Sequence, residues 1–493
     1  MKPLVLRRPY LLGALFLEKN HPVNGGSERY SSLTGRLRDL HFPKANRPTT
    51  GVGIKPKRGP TGRPMSFCTH PTSLTTDFES GNRNRVGTSV IVLLILCLLV
   101  LNFSPNFKSV DSSRSTPFGG DFLQEWVGGQ ILLSEQRGKL YDTEFFASRQ
   151  HDPGALGFHW NEASYYPPIY PPGYYLVVSP LSQIPYQTAA VVWLLGSLVC
   201  LFLVFYLVGR HHPMGGSVWV WGPLLALVFT PVLFSLNIGH KSMLILLVLT
   251  STYLLLYHKK AFWAGLVLGV IAFKPHFILL LALMMLLQRD WRFVGGLAVS
   301  GIGWLLLCVC AGPFLLLDYV TTLAGTTDYT QQGGYQLTMA HGLVSSSELS
   351  LGWLDGFVSK WAGRLVAVGV VIALAITLRR KVDSRSAQFA AWFSAIVIAT
   401  VLVSPHFFQY DLTILILPLL LGIYYVDIRR DLDAKMLAVT MLAFVVLAGL
   451  FEPLAAMTGV QISLFLLIAW LLLLVRSSRC GAGMGDKNLA ATE

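Results

Sequence analysis

Charge is what this chain has little of. Only 13% of its 493 residues are Asp, Glu, Lys or Arg, where a soluble protein carries roughly 25%. So few charges cannot cover a water-facing surface, so lipid must cover much of it, and a soluble enzyme or scaffold is excluded. Cysteine is scarce too. Cys68, Cys97, Cys200, Cys308, Cys310 and Cys480 are scattered, with neither a disulfide framework nor metal-ligand spacing. Cys308 and Cys310 would point in different directions on a helix, and both read as buried small apolar residues. No metal and no cofactor is expected. The two halves show no repeat of the kind common in secondary transporters. Positive charge is present but local: of a formal net charge of +13, residues 1–85 supply fifteen Lys and Arg against five Asp and Glu. The rest is close to balanced, which argues against a nucleic-acid partner.

What is abundant is apolar sequence. The chain is 53% hydrophobic with a mean hydropathy of +0.53. Apolar runs fall at about 86–103, 187–209, 218–236, 242–257, 261–273, 276–288, 293–311, 363–378, 387–403, 410–426, 436–451 and 460–475, with a shorter one at 173–181. A bilayer needs about 20 apolar residues per helix, so the pattern predicts an all-α polytopic membrane protein with about eleven to thirteen transmembrane helices. The 261–288 stretch, broken by Lys274-Pro275, reads as two short helices or one kinked one. Ahead of the runs, residues 1–85 read as a basic, disordered cytoplasmic tail, with Met65 an alternative start. Residues 86–475 form the membrane domain, and 476–493 a short C-terminal tail.

Basic junctions give the orientation. Arg83/Arg85, Arg210, Lys259-Lys260, Arg289/Arg292, Arg379-Arg380-Lys381, Arg429-Arg430 and Arg476/Arg479 fall on one side after twelve crossings. By the positive-inside rule both termini are cytoplasmic. The external side then collects a long first loop (104 to about 186), the Asn237–Lys241 junction, the Lys274-Pro275 break, a second loop (312–362) and the Ser404–Asp411 segment.

The residues able to do chemistry lie on that face. Asp121 and Glu125 are four apart, so a helix beginning near Asp121 presents both carboxylates on one side. An Asp there is also a common N-cap. Tyr166, Tyr170 and their neighbouring prolines form an aromatic, non-helical stretch, suited to a membrane interface or to the apolar face of a sugar. Lys241 and Lys274 stand beside apolar helices, next to His240 and His276. Lysines at span ends are usually snorkelling anchors, yet these two fall on the external side, where a boundary cation points to function. An anionic lipid phosphate is a fitting partner, with His406 as a further contact.

The Gly-Gly-Asp-Phe run at 119–122, Tyr-Asp at 141–142, Tyr-Pro-Pro at 166–168, Asn-Ile-Gly-His at 237–240, Lys274-Pro275, and Ser404-Pro405 with Tyr410 together resemble glycosyltransferase family 87. The likeness runs from about residue 86 to 475. His240 stands where that family often has Gln. The resemblance implies a GT-C-like bundle whose long first external loop carries amphipathic helices. It also implies a hexosyltransferase of the polyprenyl-phosphate-mannose-dependent α-mannosyltransferase kind, acting at the cell membrane on an external glycan or glycolipid acceptor. Asp121 then occupies the position of the catalytic base. Lys274, Lys241, His240, His276 and His406 would face the donor phosphate, and Glu125, Tyr166, Tyr170 and Tyr410 the substrate. The loop 312–362, with Asp318, Asp328, Tyr329, Tyr335 and His341, would cover the acceptor. A lipid-linked-sugar flippase or a lipid-phosphate glycan ligase is the competing reading.

Overall fold

The computed structural model describes residues 117–161, 165–214, 216, 218–329, 337–354 and 356–479. The tail 1–85, the first apolar run and residues 480–493 lie outside them. Residues 476–479 continue the final helix, Ile462–Arg479.

Of the described residues 79% are helical and none is in a strand. The protein is an all-α polytopic membrane protein. Five helices are long and apolar enough to cross a bilayer: Tyr186–His211, Trp291–Ala311, Gly356–Leu378, Gln409–Arg429 and Leu432–Thr458. A sixth results if Val218–Val228 and Thr230–Asn237, bent by 65°, count as one span. Shorter apolar helices, among them Ser242–Tyr257 and Ala387–Val403, complete the bundle. Breaks in the apolar runs explain why so few helices reach full length. Proline disfavours the helical conformation at the residue before it. Lys274 accordingly sits at φ −122°, ψ 76°, and the 261–288 run becomes two short helices, Ala261–Leu268 and Leu279–Leu287, joined by 3-10 turns.

The bundle has a clear inside and outside. In the Ala387–Val403 helix every residue from Phe389 to Leu402 is buried. The Trp291–Ala311 helix instead leaves Ile302, Leu305 and Leu306 exposed, an apolar outer face that water would not tolerate and lipid does. Cys308 is buried but Cys310 is exposed, so the expectation of two buried thiols fails for Cys310, which shares the outer face with Leu306.

The segment ahead of the Tyr186–His211 helix folds down onto the bundle. Its leading helix, Phe122–Leu133, is buried on every side from Phe122 to Gly129, rather than amphipathic. A Cβ at Gly128 would lie 2.2 Å from the ring of Tyr175, so only glycine lets this helix lie so close to the Pro172–Val178 helix. Glu125, one turn earlier, is thereby brought to Tyr174. The expected second loop, 312–362, is largely regular: Pro313–Tyr329, Leu343–Ser350 and the start of Gly356–Leu378 are helices. Asp318 is exposed. His341 is buried with Nδ1 2.7 Å from Ser463 Oγ, inside the fold and not in a surface cover. Tyr335 and the side chains of Asp328 and Tyr329 lie outside what is described.

Candidate active site

Two loops lock together to build the site. Gly120 and Gly239 have φ of +57° and +64°, a left-handed conformation that costs other residues about 1–2 kcal/mol. Each also presses on the other's strand of backbone. A Cβ on Gly120 would come 2.3 Å from Ile238 O, and one on Gly239 would come 2.2 Å from Gly119 O. The Asp121 N–H donates to Ile238 O at 2.7 Å, and the Trp193 indole donates to Gly239 O at 2.7 Å while its ring stacks on Phe122. The Gly-Gly-Asp-Phe and Asn-Ile-Gly-His motifs, far apart in sequence, are therefore one structural unit.

That unit sets Asp121 at the N-cap position of the Phe122–Leu133 helix, yet its side chain caps nothing. Asp142, Asp152, Asp290 and Asp431, at the same position of their own helices, all accept backbone N–H groups. The capping role that the sequence allowed for Asp121 is not taken up. Burial first, and then the neighbouring charge of Glu125, raise its pKa from the usual carboxylate range to about 7.

Two ion pairs flank it. Lys241 donates to Glu125 Oε1, both side chains being almost wholly buried. Its ammonium lies 3.7 Å from the centre of the Tyr170 ring, and the Tyr174 hydroxyl donates to the same Glu125 oxygen at 3.3 Å. Lys274 Nζ is 2.8 Å from His240 Nε2 and 3.6 Å from Asp411 Oδ1. An ammonium can only donate, so Nε2 must accept. His240 is then neutral, with its proton on Nδ1, which donates to Ser242 Oγ at 2.7 Å. The Tyr410 ring packs on His240 with centroids 4.1 Å apart. Three carboxylates, two lysines and a neutral histidine thus converge where the ends of four segments meet.

Residues 169–405 match the family model of glycosyltransferase family 87. The protein is thereby identified as a membrane glycosyltransferase. The resemblance carried by the motifs is borne out over that stretch, which contains His240, Lys241 and Lys274 and stops short of Asp121 and Asp411. No curated protein and no solved structure matches the chain.

Of the residues singled out in the sequence, the glycosyltransferase brings Asp121, Glu125, Tyr170, His240, Lys241, Lys274 and Tyr410 together. His276 stands at the edge: its ring packs against Phe277 at 4.5 Å, and its buried Nε2 makes no hydrogen bond within the protein. Two others are placed elsewhere. His406 is exposed, in the field of Lys360 and Arg364, because the extended Ser404–Phe408 segment turns it outward while Phe407 goes in. The Tyr166 ring stacks on Trp160 at 5.9 Å and its backbone is held by Gln150. The adjoining Pro167 carbonyl accepts from Gln124, so this stretch anchors the Asp121 helix from outside the cluster. Tyr141 donates to Tyr170 O at 2.7 Å and Asp142 caps its own helix, which gives that motif a structural role as well. Asp411, Tyr174 and Ser242 were not foreseen. An acid set directly before an apolar span was the one sequence signal that marked Asp411.

Proposed function

We propose that this glycosyltransferase transfers a hexose, mannose in the first instance, from a polyprenyl-phosphate donor to a glycan or glycolipid acceptor at the external face of the cell membrane. Both termini lie in the cytoplasm in this reading. The observation that carries it is Asp121: a carboxylate that caps nothing, has a pKa raised by burial to near neutrality, and lies in the field of Lys274, which His240 holds in position.

The chemistry is a single inverting displacement. Asp121 takes the proton of the acceptor hydroxyl as that oxygen attacks the anomeric carbon. The bond from that carbon to the phosphate oxygen breaks on the opposite face, and the lipid phosphate departs with the bonding electrons. Negative charge grows on the bridging oxygen, and a pre-placed ammonium there lowers the barrier. Lys274 suits that duty, because His240 and Asp411 hold it while leaving an N–H uncommitted. Lys241 is already committed to Glu125 and the face of Tyr170, and its part is to hold that carboxylate in place. Tyr410, the partly exposed ring of the cluster, offers an aromatic face for the sugar, and Tyr170 and Tyr174 pack behind Lys241.

Membranes containing Asp121→Asn, supplied with radiolabelled polyprenyl-phosphate mannose and acceptor, should transfer about 10²- to 10⁴-fold more slowly with donor retention unchanged. Full activity in that variant would remove Asp121 as the base.

A further inference from the structure

Two buried oxygens in the cluster remain without a hydrogen bond within the protein: Glu125 Oε2 and Asp411 Oδ1. Their residues are 1% and 2% exposed, and a buried acceptor left unpaired costs about 1–3 kcal/mol, more when it is charged. Asp411 Oδ1 faces the site, 3.6 Å from Lys274 Nζ and 3.9 Å from His240 Nδ1, beyond hydrogen-bond reach of both. Its other oxygen is occupied by the Phe408 N–H at 3.3 Å. Each carboxylate already has a lysine of its own: Lys241 for Glu125, and Lys274 for Asp411. What both lack is a hydrogen to accept, not a charge to neutralise.

We propose that Asp411 and Glu125 form a hydroxyl-reading subsite for the transferred sugar, and that this sugar is neutral. The proposal rests on the lipid-phosphate donor reading above. A hydroxyl supplies a proton donor without charge and satisfies each orphaned oxygen. A sugar ammonium would meet two lysines already in place. A uronic acid would add a fourth carboxylate to Asp121, Glu125 and Asp411, in a site that must also admit a phosphate. A site whose buried groups are made to bond a hydroxyl discriminates strongly against the analogue that lacks it, since the protein group is then left unpaired.

The test crosses the protein with the substrate. Wild type, Asp411→Asn and Glu125→Gln are each assayed in membranes with polyprenyl-phosphate mannose and with donors monodeoxygenated at C2, C3, C4 or C6. Polyprenyl-phosphate glucose, a 4-amino-4-deoxy sugar donor and a uronic acid donor are run beside them. For wild type, at least one deoxy donor should lose about 10²-fold or more in kcat/KM, and the amino and uronic donors should be poorer than the neutral ones. For Asp411→Asn or Glu125→Gln the same deoxy donor should lose less than about tenfold relative to that variant's own mannose rate. Because this compares donors within one variant, a general loss of activity or folding does not mimic it. Deoxy penalties that are equal in wild type and both variants, or a preference for the charged sugars, overturn the subsite and leave the donor class standing. If wild type transfers from none of these lipid phosphates, the donor reading falls and the subsite with it.

Discussion

His240 offers the most direct probe of how the site holds its cation. Its Nε2 accepts from Lys274 Nζ at 2.8 Å, and the whole ring is 2% exposed. A buried hydrogen bond to a charged group contributes about 1.5–3 kcal/mol. His240→Ala removes the acceptor, the Ser242 bond and the surface under Tyr410, so Lys274 is free to swing fully onto Asp411, 3.6 Å away. If that positioning energy is expressed in the transition state, kcat/KM falls about 10- to 150-fold. His240→Gln is the discriminating control: an amide oxygen can accept from Lys274 as the ring nitrogen does. Transfer from radiolabelled polyprenyl-phosphate mannose should therefore recover to within about fivefold of wild type in the Gln variant. The Ala variant should also show the loss mostly in kcat at saturating donor, because Lys274 matters most as charge builds on the leaving oxygen. Equal rates for Ala and wild type would refute the positioning role. A Gln variant as slow as Ala would refute the acceptor argument and leave ring packing on Tyr410 as the cause.

Two further outcomes follow from the geometry. The base must be ionised to accept a proton, and Asp121 titrates near 7, so log kcat/KM should rise by one per pH unit below about 7 and level off above it. The Glu125 charge pushes that value up, so the limb should move to lower pH in Glu125→Gln; a limb that stays put, or that lies in the ordinary carboxylate range in wild type, removes Asp121 from this role. Gly120→Ala forces a left-handed Ala and a Cβ 2.3 Å from Ile238 O, and a displacement of about 1 Å at Asp121 should lower transfer about 10²-fold while the protein still reaches the membrane. Transfer at the wild-type rate would mean that the loop contact does not set the base.

The class of fold was legible from composition, because a chain with so few charges has only one solvent that suits it. The helix breaks were legible where a proline caused them, at Lys274-Pro275, and less so at Phe229, where an extended residue ahead of Pro231 bends the span. Lys241 and Lys274 stood out as charges beside apolar runs, and Asp121 by its four-residue spacing from Glu125. Their partners did not, since pairing depends on which helix ends meet in space. Nothing in the spacing joins Lys274 to Asp411, which lie 137 positions apart. His406 and Tyr166 misled for the opposite reason. Their residue types fit the chemistry, but the orientation of a side chain in an extended segment is decided by its neighbours, here Phe407 turning inward and Gln150 holding the backbone.

The pairing has a consequence for how the two lysines divide the work. A buried cation with no partner is costly, and so is a buried carboxylate, so a site that needs a free ammonium and a free carboxylate in low dielectric cannot simply leave both unpaired. Here the lysine given over to structure, Lys241, is closed off by Glu125, Tyr170 and Tyr174. The other, Lys274, is held by a neutral ring and by a carboxylate just beyond hydrogen-bond distance. That looser hold leaves Lys274 with an N–H to spare. Asp121 is the group left without an ion pair of its own, and burial first, then the Glu125 charge, raises its pKa. In the proposed reading, a donor phosphate beside Lys274 would draw that ammonium away from Asp411, whose Oδ1 already lacks a hydrogen bond and stays available to a sugar hydroxyl. The proposed donor and sugar subsites would then be coupled through one side chain, and disturbing Asp411 should alter which sugar is accepted before it alters whether the lipid phosphate binds.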